Sequence, residues 1–115
     1  MVSCVVFNPF TYDAHIIYVS DTIINATIYA RAIAEKVMKH DKYKGYKAIC
    51  KVPDYSVKET PTYVLFRLKG KVAVPVAVGD DVKRLFEVSP YVKAIVVPAL
   101  TTAIKTPEEA IALLA

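Results

Sequence analysis

The chain has 115 residues, a formal charge of +4 and a mean hydropathy of +0.35. That length fits one domain, and roughly two-thirds of the unfolded surface can be buried at this size. No apolar run approaches the ~20 residues of a membrane-spanning helix. The segment Met1 to Phe7 lacks the basic start of a secretion signal, so a cytoplasmic protein with no membrane partner is expected.

The hydrophobic fraction, 55%, is high for so short a chain, and a homodimer interface is the expected use of the excess. Glutamine and tryptophan are absent, Asn8 and Asn25 are the only asparagines, and prolines outnumber glycines seven to three. Few thermolabile amides and stiff loops point to a hyperthermophile. The charge permits an anionic partner without demanding one. Cys4 and Cys50 both lie in apolar runs and read as buried thiols. A disulfide between them requires their strands to be neighbours.

In chain order, residues 2–7 predict a buried strand, stopped by Asn8-Pro9. His15 to Ser20 predicts a second strand. Thr22 to about Asp41 predicts a long amphipathic helix. Its apolar stripe runs through Ile24, Ile28, Ala30, Ile33, Ala34, Val37 and Met38, with Asp21 or Asn25 as N-cap. Tyr46 to Val52 alternates as a strand, with Tyr46, Ala48, Cys50 and Val52 on one face. Residues 53–61 read as a loop. Thr62 to Lys69 and Val72 to Val78 read as strands joined by a tight turn at Gly70, and Pro75 marks an edge or a bulge. Asp80 is the expected cap of a short helix, Asp81 to Val88, closed by Ser89-Pro90. Val92 to Val97 predicts a last buried strand. Thr106-Pro107-Glu108-Glu109 is a capping box with proline at N1, opening a helix through Leu114. The expected fold is a single α/β domain over 1–115. It has a mixed sheet of about five or six strands, one long and two short helices, and a helical extension over 98–115.

The chemistry-bearing residues are few. The cysteines and histidines are not at zinc-ligand spacing, and the three glycines are too isolated for a phosphate-binding loop, so no metal and no cofactor are expected. His15, in an apolar context, is either a satisfied, partly buried histidine or a base or ligand-binding group near the end of the first strand. Lys39, Lys42, Tyr43, Lys44, Tyr46 and Lys47 interleave charge with rings, as a nucleic-acid surface would. The same run also suits a solvated helix end. Arg67, inside an apolar strand, needs a carboxylate, carbonyl or phosphate partner.

The order of elements resembles the viral type III anti-CRISPR ring nucleases, small dimeric α/β proteins of crenarchaeal viruses that bind and cut cyclic tetra-adenylate. The resemblance runs through Asn8-Pro9-Phe10-Thr11 after the first strand and Ala26-Thr27-Ile28 at the helix start. It continues at Arg67-Leu68-Lys69-Gly70 closing a strand and ends with the short helix and last strand of residues 80–97. It implies a viral, cytoplasmic homodimer in which Asn8, Thr11, Asn25, Thr27 and Arg67 bind the cyclic oligonucleotide without a metal. The family's catalytic histidine precedes the helix threonine, where this chain has Ile24-Asn25. His15 is then the remaining catalytic candidate. Three readings stay open: a cyclic-oligoadenylate binder or nuclease, a nucleic-acid-binding module built on 39–47, and a structural or interaction protein with no small ligand.

Overall fold

A computed structural model describes residues 2–88 and 93–115. The elements are β1 (Val2–Phe7), β2 (Ala14–Val19), α1 (Ala26–Met38), a 3-10 turn (Asp41–Tyr43), β3 (Lys47–Ile49), β4 (Tyr63–Lys69), β5 (Val72–Gly79), α2 (Val82–Val88), β6 (Ala94–Pro98), β7 (Leu100–Ile104) and α3 (Pro107–Leu114). The α/β class is as expected, but the strands form two sheets rather than one. The first has the order β3-β1-β2-β7 and the second β5-β4-β6.

The layering follows from which strand faces are apolar. β1 is apolar on both sides. Cys4 and Val6 pack with Ile17, Val19 and Ile104 beneath α1. Val5 and Phe7, with Ile16, meet Val64, Phe66 and Val78 of the second sheet. Leu65 and Ala77, on the far face of the second sheet, pack on Leu85 of α2. A strand buried on both faces reads as a continuous apolar run, which is why residues 2–7 carry no alternation.

Helix α1 is shorter than its periodicity suggests. Asn25 sits at the N-cap position in the left-handed region, φ 63, and makes no side-chain cap bond. The residues before it are held in a turn in which the Thr22 N–H donates to Ser20 Oγ and the Ile23 N–H to the Ser20 carbonyl. The buried stripe is Ala26, Ala30, Ile33 and Ala34, so Ile24 and Ile28 are exposed. At the other end His40 is extended and the chain tightens into the 3-10 turn, which drives Tyr43 into the core.

Strand β3 is also cut short. Lys51 adopts φ 60, which ends the pleat. Tyr46, Ala48 and Cys50 pack under α1 as expected, but Val52 crosses to the space between the sheets. The β1–β3 register pairs Val5 with Ile49, placing Cys50 directly opposite Cys4. The two are joined in a disulfide with Cα atoms 3.9 Å apart, which corrects the free-thiol expectation.

Pro75 fulfils both of its expectations. β5 is an edge strand, and its register against β4 shifts between Leu65 and Phe66, next to Pro75. The short helix is capped by Asp81, not Asp80, since Asp81 Oδ1 accepts from the Lys83 and Arg84 N–H groups. The expected stop at Ser89-Pro90 lies outside the described residues, as does Val92. β6 is half-buried rather than buried, and it is not the last strand. Residues 98–115 were expected to be a helical extension. They hold β7, which pairs in parallel with β2 and completes the first sheet before α3 begins. β6 and β7 are parted only by Ala99, so one extended segment passes from one sheet to the other.

Candidate functional site

The densest polar cluster centres on His15, at the start of β2. Its side chain shares the α1 face of the sheet with Ile17 and Val19, because strand side chains alternate. On that face it meets Tyr43 from the 3-10 turn and Thr102 from β7. His15 Nδ1 lies 2.8 Å from the Tyr43 hydroxyl, and Nε2 lies 2.7 Å from Thr102 Oγ1. Tyr43 packs edge-on to Tyr46, which donates its phenol proton to Asp13 Oδ2 at 2.6 Å. Lys42 Nζ stands 5.3 Å from the Tyr43 ring centre.

Burial, and then the Lys42 charge, push the His15 imidazole below its ordinary value of 6.5, against a smaller pull from Asp13. A neutral imidazole has one N–H donor and one acceptor nitrogen, and both are used here. His15 therefore ties three elements together, which is the satisfied-histidine alternative. To act as a base it would first have to release Tyr43 or Thr102. The Asp13 hydrogen bond, reinforced by burial, pushes the Tyr46 phenol up to about 12.

Thr102 also faces a cleft of about 320 Å³ between α1 and α3, lined by Ile33, Lys36, Val37, His40 and Leu113. The Lys36 ammonium donates to the carbonyls of Leu113 and Ala115, at 2.7 Å each. That cation serves the C-terminal end of α3, where helix carbonyls lack partners.

A second, more polar cavity of about 510 Å³ is lined by Tyr18, Lys58, Glu59, Thr60 and Lys105. Its wall is shaped by Asp80, whose carboxylate accepts the N–H groups of Val57, Lys58 and Glu59 at 2.9–3.0 Å. Burial opposes ionisation there, but these donors outweigh it and hold Asp80 below the usual carboxylate value. Ser3 Oγ, Asp54 Oδ2 and Ser56 Oγ are buried with no hydrogen-bond partner among the described residues.

The remaining sequence-derived site residues do not meet within one chain. Asn8 and Thr11 share the β1–β2 turn. Asn8 Oδ1 accepts from the Phe10 and Thr11 N–H groups and Thr11 Oγ1 from that of Asp13, so both shape the turn. Asn25 and Thr27 begin α1, which follows the other end of β2. The six residues of that strand put them roughly 20 Å away. Arg67 is exposed and pairs in register with Val74 and Ala94 on the far face of the second sheet. In the 39–47 segment the lysines are exposed, but Tyr43 is buried and Tyr46 is bound to Asp13. Among the described residues no group of three His, Cys, Asp or Glu is placed to hold a metal.

The sequence did not point to Tyr43, Thr102 or Asp13 as partners. His15 is 28 residues from Tyr43 and 87 from Thr102. No local spacing signals contacts across such separations. We found no family model, no curated protein and no solved structure that matches the chain.

Proposed function

We propose that this chain is an interaction protein, acting through its surface and its fold rather than through a small-ligand pocket. The observation that carries this reading is the exposure of large apolar side chains. Phe10, Ile24, Ile28, Val57, Leu100 and Ile111 are each more than half exposed. Single exposed apolar residues are ordinary, but β7, which carries exposed Leu100, packs against α3, whose Ile111 and Leu113 are also exposed. The polar candidates support the same reading, because both ring nitrogens of His15, Asn8 Oδ1 and the Lys36 ammonium are engaged by groups of the protein itself.

The test is a thermal-shift titration with cyclic tetra-adenylate and, separately, with a single-stranded oligoribonucleotide. An unchanged melting temperature and intact ligand are expected. A specific ligand at about 100 times its Kd adds roughly 2.7 kcal/mol, which a melting curve resolves readily. Saturable stabilisation by the cyclic ligand, with linear products, would establish the ring-nuclease reading instead. Salt-sensitive binding of the oligoribonucleotide would establish the nucleic-acid one.

A further inference from the structure

An exposed strand edge presents unpaired N–H and C=O groups to any other strand, and folded proteins usually cover or blunt such edges. Among the described residues three of the four sheet edges are blunted. β3 is three residues long and lies among lysines. The β5 edge contains Pro75 and is covered by loops. The Val78 N–H and C=O pair with Pro53 and Tyr55, and the Ala73 N–H donates to the Pro9 carbonyl. β6 turns Ala94, Val96 and Pro98 outwards, since its other residues face β4 through the Leu68–Lys93 and Thr62–Ala99 bonds, and Pro98 has no N–H to offer.

The β7 edge differs. The Ser20 N–H donates to the Ile104 carbonyl, so in this parallel ladder Leu100, Thr102 and Ile104 face β2 while Thr101 and Ala103 turn their backbone groups outwards. No hydrogen bond among the described residues takes up those outward backbone groups.

We infer that β7 is the self-association edge of this protein, and that a second copy of the chain pairs with it antiparallel about a two-fold axis at Thr102. This rests on the interaction-protein reading and names its partner and surface. The register is self-complementary. Thr101 faces Ala103 of the second copy, and the reverse, so each pair exchanges both N–H···O bonds. The same register sets exposed Leu100 beside Ile104 of the second copy, next to the start of its α3. The two first sheets then run on as one, in the order β3-β1-β2-β7-β7-β2-β1-β3. On β6 the outward Pro98 has no N–H, so the pairable edge there is interrupted at one end, whereas the outward residues of β7 all keep their donors.

Sedimentation velocity on the full chain, with two variants, tests the inference. The unmodified protein should sediment as a dimer. Ala103→Pro removes an outward N–H that no bond inside the chain uses, so it should give a monomer with an unchanged circular-dichroism spectrum. Thr102→Cys places thiols on Cα atoms about 4.5 Å apart across the axis, within disulfide reach. Mild oxidation should therefore yield a covalent dimer on a non-reducing gel. A monomer at all concentrations overturns the inference. So does a dimer that survives Ala103→Pro and resists cross-linking at Thr102→Cys. If Ala103→Pro does not fold, the cross-link alone decides. The ligand titration above reads the functional proposal independently, so the two can fail separately.

Discussion

At the scale of single residues, His15 illustrates how a functional-looking side chain can be structural. It joins β2, the 3-10 turn and β7 through Tyr43 and Thr102. Its folded-state pKa lies below 6.5, so the unfolded chain takes up a proton first as pH falls. Its contribution to stability is complete above 6.5 and is lost as pH drops below that value. Urea melts of the parent protein should therefore weaken with acidification in that window. In His15→Gln that part of the pH dependence should vanish, and at pH 8 the variant should be less stable by roughly 1–2 kcal/mol from the loosened hydrogen bonds. An unchanged pH slope in the variant would remove His15 from this role. The residue was visible in the sequence as a lone histidine among apolar neighbours. Which of its two roles applied was not, because its partners arrive from distant parts of the chain.

At the scale of elements, sequence signals fix the structure where the chemistry is local. The Thr106 cap is the clearest case. Thr106 Oγ1 accepts the Glu109 N–H at 3.3 Å, Glu109 Oε2 reaches back to the Lys105 N–H, and Pro107 opens the helix. Thr106→Ala should cost about 1 kcal/mol, seen as a melting temperature roughly 4 °C lower. No change would mean that α3 is held by packing of Ala110 and Lys36 alone. Element ends that depend on tertiary pull leave no such local signal. α1 ends early because Tyr43 is drawn into the core, and β3 ends early because Val52 is drawn between the sheets. Asp80 and Asp81 are equivalent as caps by type. The loop at Val57–Glu59 takes the first and leaves the second to α2.

At the scale of the whole molecule, the disulfide fastens the edge strand β3 to the centre of the first sheet across 46 residues. Closing a loop of that length lowers unfolded-state entropy by an amount worth about 4 kcal/mol in the chain-entropy model. Cys50→Ser should therefore lower the unfolding free energy by roughly 2–5 kcal/mol, measured in denaturant against the oxidised parent. A loss below about 1 kcal/mol would show that the sheet register, rather than the bond, holds β3 in place. Among the described residues no helix is long and apolar enough to cross a membrane.

The sequence by itself determined the α/β class, most of the strands, the Gly70 turn, the Pro75 irregularity and the α3 cap. Each rests on periodicity or on residues within a few positions of one another, and such interactions are set by local covalent geometry. Only the tertiary structure decided that the strands divide into two sheets, that Cys4 meets Cys50, that residues 98–104 contain β7, and that His15 is bound on both sides. Those outcomes depend on which distant strands become neighbours. That choice is made by burying the apolar faces of β1 and β4 together, and no spacing along the chain encodes it.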